Sequence, residues 1–277
     1  MSTHADAETP RTAWAEVEAL LAAGDLERAE AVLRRHLADS PGDVRAHHRH
    51  GMLSLELGDV NAALASLRRA RELDPANSLV LNDLGAALEE TGDAAAAAET
   101  YAQAVRSPPV YPPAYVNHAR RLIGAGALDE AESFLRRAVG EEPGFHRAHC
   151  ELAALYARRG DEDGALECYR RAMAIDERDT HAPFAAAMLE QDRCRFEAAV
   201  ALLEACLARD AAHLDAALAL GACLQELDRM DEALAVYRRL LAIDGRRYYD
   251  VVKKLTGASR GVFRVSAAAL RDLLRGE

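Results

Sequence analysis

The sequence predicts an all-α protein built as a stack of helix pairs, and three observations predict it. Alanine recurs every 34 residues in unbroken register, at Ala29, Ala63, Ala97, Ala131, Ala165, Ala199 and Ala233. Four residues after each alanine stands a large apolar side chain: Leu33, Leu67, Tyr101, Leu135, Tyr169, Leu203 and Tyr237. Punctuation keeps the same period, with Gly24, Gly58, Gly92, Gly126 and Gly160 five residues before the first five alanines, and Pro41, Pro75, Pro109 and Pro143 twelve residues after the first four. A period of this length marks a repeated supersecondary unit, each copy burying its apolar face on its neighbours.

Each element of the pattern has a physical reason. Glycine suits the left-handed turn that closes one helix, and the acidic residue that often follows, as at Asp25, Asp59, Asp93 and Asp161, favours the positive start of the next. Alanine lets two helices approach, the larger residue one turn later fills the space beside it, and proline ends the second helix. The product is one helix-turn-helix pair per 34 residues. The pattern loosens late in the chain. Cys194 and Asp228 replace the turn glycine, and Glu177, Ala211 and Gly245 replace the proline.

Period, small-large spacing, glycine-acid turn and closing proline together resemble the tetratricopeptide repeat family. The resemblance covers seven units starting at residues 10, 44, 78, 112, 146, 180 and 214, without insertion or deletion. It implies a right-handed superhelical solenoid in which the first helix of each pair lines a concave surface. The array is expected over residues 10–247, after a disordered segment 1–9 and before a basic capping segment 248–277. Glu16 stands where later units have Leu84, Leu152 or Leu220, as suits a solvent-facing end. At the other end, Ser266 suits the start of a last helix whose Leu270, Leu273 and Leu274 form one apolar stripe, a lid for the array.

Composition narrows the function classes. Half of the 277 residues are hydrophobic, so a core is expected, but no run of 18 apolar residues exists and no secretory signal is visible, so a soluble cytoplasmic protein is expected. Net charge is −11, which argues against nucleic-acid binding. From Arg246 onward, however, eight basic residues face three acidic ones, a net of +5, and this end is suited to an anionic partner or to the acidic body of the chain. The five cysteines (Cys150, Cys168, Cys194, Cys206, Cys223) are odd in number and form no C-x-x-C pair, which favours reduced thiols. No G-x-S-x-G, P-loop, H-E-x-x-H or dinucleotide turn is present, so catalysis and a cofactor are not expected.

The stretch RAHHRHG at residues 45 to 51 raises a metal question. His47, His48 and His50 point in different directions around one helix turn, whereas a metal needs converging ligands. His47 also aligns with His149 three periods on, and both take a place where the family has a packing residue. They are read as packed imidazoles with hydrogen-bond partners, and Gly51 as a site of close helix approach. No metal site is expected.

The functional expectation is a groove. By the family pattern its lining includes Arg45, His48, Arg49 and Glu56 in unit two, Asn82, Asp83, Glu89 and Glu90 in unit three, and Val116, Asn117 and Arg120 in unit four. Units five to seven add Arg147, Cys150, Glu151, Arg158, Phe184, Met188 and Leu218, and the lining turns from polar to apolar. Asparagine amides can pair with a peptide backbone, and arginine can hold a carboxylate by two prongs. The expected peptide-binding set is His48, Arg49, Asn82, Asn117, Arg120, Arg147, Arg158, Phe184 and Met188. The family's clamp for chaperone tails is matched only at Asn117 and Arg147, since Asn82, Ala86 and Glu151 replace its lysine, asparagine and arginine, so that ligand is not implied. Cys150 is the thiol expected to face the groove. A non-catalytic scaffold binding a peptide or protein segment is the leading expectation. The alternatives are an accessory module for a separately encoded transferase or oxygenase, and an assembly factor that forms homo-oligomers through its tail.

Overall fold

The structure is a computed structural model that describes residues 10–257. The expected disordered start at 1–9 and the Ser266 helix with its leucine stripe lie outside the described residues. The chain divides into two compact units, Met1–Glu142 and Pro143–Glu277. In the first run α1 (Pro10–Ala22), α2 (Leu26–Asp39), α3 (Val44–Glu56), α4 (Val60–Leu73), α5 (Ser78–Glu90), α6 (Ala94–Ala104), α7 (Pro112–Gly124) and α8 (Leu128–Glu141). The second holds α9 (His146–Arg159), α10 (Glu162–Ile175), α11 (His181–Asp192), α12 (Phe196–Arg209), α13 (Leu214–Glu226), α14 (Met230–Ile243), a 3-10 turn (Gly245–Arg247) and α15 (Tyr248–Gly257). There is no strand among the described residues. Each unit is an all-α repeat stack, in which the two helices of a pair pack on each other and the second of them on the first helix of the next pair.

The turns explain where the helices stop. Gly24, Gly58, Gly92, Gly126 and Gly160 all take left-handed backbone, with φ from 74° to 82°. Cys194 and Asp228, which replace the glycine, are forced into the same conformation at φ 57° and 60°. The array therefore demands a left-handed residue there even where no glycine is available. The following aspartates do more than complement a helix dipole. Asp25, Asp59, Asp93 and Asp161 are N-caps that accept the backbone N–H of Arg28, Ala62, Ala96 and Gly164. Ala127, Arg195 and Arg229 take the same place without a side-chain cap bond.

Packing follows the register. All seven repeated alanines are fully buried, and the large residue one turn later is at most 4 % exposed in every unit. Where the first helix meets that large residue, three units carry glycine. A Cβ on Gly51 would stand 2.7 Å from Leu67 Cγ, and one on Gly85 2.7 Å from Tyr101 Cε1. Glycine removes the clash and brings the two helices of the pair together.

The period extends beyond residue 247. Helix α15 starts 34 residues after residue 214 and takes the first-helix place of an eighth period, burying Val251 and Leu255 completely in the core that α13 and α14 share. Arg247 ties this end down through Asp215 of α13 at 3.0 Å and Asp250 at 3.1 Å.

Candidate peptide-binding faces

The expected site residues divide between the units, and each set is described within its own unit. In the first, α3, α5 and α7 are neighbouring first helices, and their polar side chains are linked. His48 Nε2 lies 2.6 Å from Asp83 Oδ2, the Asn82 amide donates to Asp83 Oδ1 at 2.9 Å, and the Asn117 amide donates to Asn82 Oδ1 at 2.8 Å. Both links between helices join residues 35 apart, the fifth place of one unit and the sixth of the next. A regular 34-residue array therefore generates the network by itself. Asn82 and Asn117 are buried, at 5 % and 8 % exposure, and their amides serve one another. His48, Arg49 and Arg120 remain partly exposed on either side.

Other groups of this unit anchor the same helices. Glu89 pairs with Arg121 at 2.9 Å. Burial, followed by the charge of Glu89 and a hydrogen bond to it, pushes the Tyr101 hydroxyl well above its usual range. Arg45 stacks over Trp14, 4.0 Å from the ring centre. Val116, expected on the groove, is instead fully buried. Its place is covered by the close packing of α7 on its neighbours.

The histidines of RAHHRHG separate to different partners. His47 Nε2 bonds to the Pro41 carbonyl at 3.1 Å, His48 to Asp83, and His50 Nδ1 to Ser66 Oγ at 2.7 Å. His149 repeats the first arrangement, its Nε2 3.0 Å from the Pro143 carbonyl. In both units the imidazole satisfies the carbonyl of the proline that closes the preceding helix pair. His36 Nε2 pairs with Asp43 Oδ2 at 2.8 Å. Burial works to raise Asp43, but hydrogen bonds from His36 and the Ala46 N–H outweigh it and hold the carboxyl below its usual range.

In the second unit Arg147 and Arg158 are exposed on α9, while Phe184 and Met188 are half-buried at the edge of the core, with Phe184 5.0 Å from the His213 ring. Cys150 does not present a reactive thiol: it is 8 % exposed, and burial together with Asp179, Glu151 and Asp176 pushes it up to about 12. Cys194, on its left-handed turn, is the exposed cysteine. Sequence reasoning missed two features of this unit. One is a mostly apolar cleft of about 380 Å³ between α12, α13 and α14, lined by residues including Leu207, Leu214, Val236 and Ile243. The other is the meeting of His146, Cys150 and Asp179. The spacing of His146 and Cys150 on one helix face was visible in the sequence, but Asp179 arrives from the next helix pair.

Comparison with known proteins agrees with this architecture. Family models described as tetratricopeptide repeat match residues 48–112, 122–189 and 189–255. The chain is 24 % identical over 228 residues to TPR repeat-containing protein YpiA of Bacillus subtilis (strain 168), a match spanning 82 % of this chain and 54 % of the relative. The chain thus spans about half the length of the curated relative it matches. Among solved structures, PilF of Pseudomonas aeruginosa superposes with TM-score 0.65 at 17 % identity, covering 76 % of this chain and 97 % of that one. The C-terminal part of a TPR repeat-containing protein from Cytophaga hutchinsonii gives 0.64 at 15 %, covering 87 % and 98 %. YrrB, described as a TPR protein with an unusual peptide-binding site, gives 0.53 at 18 %, covering 66 % and 95 %. No helix of the described residues is long and apolar enough to cross a membrane. The 34-residue register, the left-handed turns and the matched repeat models make this chain a member of the tetratricopeptide repeat family.

Proposed function

We propose that the chain is a non-catalytic scaffold that holds an extended peptide segment on the first-helix faces of its repeats. The observation that carries this reading is the His48–Asp83–Asn82–Asn117 network. It locks a row of polar side chains across three successive first helices, so the flanking Arg49 and Arg120 stand on a rigid base, and preorganisation of that kind lowers the entropic cost of binding. Arginine in such a row suits peptide carboxylates and carbonyls. Arg147, Arg158, Phe184 and Met188 form the corresponding set of the second unit, one basic and one apolar pair. YrrB, a solved neighbour with a peptide-binding site, supports the same reading by analogy of fold.

The test is selection of peptides from a display library against the full-length protein, followed by affinity measurement on Arg49→Ala/Arg120→Ala. Both side chains are partly exposed, so the fold should persist. Loss of two charge-assisted hydrogen bonds, each about 1.5–3 kcal/mol, should weaken binding by more than about a hundredfold. Affinity unchanged in that variant and in Arg147→Ala would place recognition elsewhere, with the cleft between α12, α13 and α14 the next surface to probe.

A further inference from the structure

The second unit brings together three side chains that the peptide-binding reading does not use. His146 and Cys150 lie one turn apart on α9, and Asp179 sits in the loop before α11. Cys150 Sγ is 3.5 Å from His146 Nε2, that same nitrogen is 3.0 Å from Asp179 Oδ2, and the three ligand atoms lie within 4.8 Å of one another. A nucleophile relay needs the sulfur on one ring nitrogen and the carboxylate on the other. Here Asp179 faces Nε2 and the sulfur lies beside the ring, 3.5 Å from Nε2 and 4.0 Å from Nδ1, so no relay is set up; the three ligand atoms are close enough to share a cation once the partly exposed imidazole turns.

Two of the three ligand–ligand edges fit a particular coordination. With Zn–S about 2.3 Å and Zn–N and Zn–O about 2.0 Å in a tetrahedron, the S···N edge is about 3.5 Å and the N···O edge about 3.3 Å. The remaining S···O edge, at most 4.8 Å, closes by rotation of the His146 and Cys150 side chains. The backbone already orients the Asp179 carboxyl, since the Ala182 N–H donates to Oδ2 at 2.8 Å and the His181 N–H to Oδ1 at 2.9 Å. Arg209 holds the Asp179 carbonyl and Cys206 the Thr180 carbonyl, which fixes the loop. Glu151 and Asp176 add negative potential around Cys150. The His146 side chain is 27 % exposed against 9 % for Asp179, so the site opens to solvent past the imidazole.

We propose that His146, Cys150 and Asp179 bind a borderline divalent transition-metal ion, Zn²⁺ by ligand chemistry, with the fourth position left to water or to a donor from a bound partner. The thiol proton passes to solvent as the ion enters. No metal was expected from the sequence, and the ligands differ from the histidines that first raised the question.

The experiment titrates full-length protein, stripped with chelator under reducing conditions, with Co²⁺ as the spectroscopic stand-in. One equivalent should give a thiolate-to-cobalt charge-transfer band and the intense visible bands of a tetrahedral site, both removed by Zn²⁺. Cys150→Ala should abolish the charge-transfer band, while Cys194→Ser leaves it intact. His146→Ala and Asp179→Asn should each weaken Zn²⁺, measured against a chromophoric chelator, by at least the roughly 10–100-fold that loss of an outer-shell group costs. No band at saturating Co²⁺, or a band that survives Cys150→Ala, overturns the proposal. If Cys150→Ala does not fold, His146→Ala at its partly exposed position decides: unchanged Zn²⁺ affinity there overturns it too.

Discussion

Substituting Gly221 by alanine separates packing from helix propensity. Propensity alone predicts a gain of about 0.8–1.0 kcal/mol, because Gly221 lies inside α13. The structure predicts a loss. A Cβ there would lie 2.9 Å from Tyr237 Cδ1 and closer still to Cε1 and Cζ. The ring is fully buried and cannot swing away cheaply, since its hydroxyl donates to Gln225 Oε1 at 2.7 Å. Overpacking of this kind costs about 1–3 kcal/mol, and a broken buried hydrogen bond adds about 1 kcal/mol. After the propensity gain, Gly221→Ala should destabilise by about 1–3 kcal/mol. The same two places hold Ala119 with Leu135 and Ala187 with Leu203, all fully buried, so alanine opposite leucine is a combination the array already accepts; Ala153 with Tyr169 shows that alanine meets tyrosine only where the ring lies differently from that of Tyr237. Gly221→Ala/Tyr237→Leu should therefore be more stable than the sum of the single changes by at least about 1 kcal/mol. Urea unfolding, with hydrogen exchange resolving α13 and α14 because repeat arrays can unfold in parts, measures both quantities. A neutral or stabilised Gly221→Ala would refute the packing argument.

Other outcomes follow from the same register. Cys194→Gly and Asp228→Gly relieve left-handed backbone that costs about 1–2 kcal/mol, offset by about 0.5–1 kcal/mol of glycine entropy, so each should raise urea resistance slightly; a clear loss in both would contradict the strain. Ala127→Asp should supply the missing N-cap of α8 and add about 1 kcal/mol, read by the same unfolding assay. With iodoacetamide, mass spectrometry should find Cys194 labelled first, since the other four cysteines are buried. Burial lowers His50 and His118 from 6.5, with Arg34 and His47 acting alongside it at His50 and Arg106 at His118, against the opposing Glu30 and Glu130. The unfolded chain then binds protons more readily. This contribution is complete above pH 6.5 and is lost as pH falls through the folded values. Urea midpoints should drop as pH falls below about 6.5, less steeply in His50→Gln/His118→Gln, and a slope the double variant leaves unchanged would assign the effect to other groups.

What was legible in the sequence is what the period itself dictates. A turn that must be left-handed shows as glycine, a crowded helix contact shows as alanine, and a helix end shows as proline, because few residues satisfy each demand. Cys194 and Asp228 show the limit of that legibility. They break the glycine pattern of the turn, yet the backbone keeps the glycine conformation because the packed pairs on both sides fix it. The groove was less legible, for a reason of register. Family positions give a helix face, but not which side chains along it find partners in the next repeat. Asn82 and Asn117 read as open amides and turn out bonded across a 35-residue step, a length set jointly by the period and by the one-place offset between adjacent helices. Asp179 escaped notice for the same reason, since its distance to His146 and Cys150 is decided by how one helix pair lies on the next. Stacking therefore acts twice in this chain: it fixes the fold through residues at identical places, and it builds polar clusters from residues at places that differ by one.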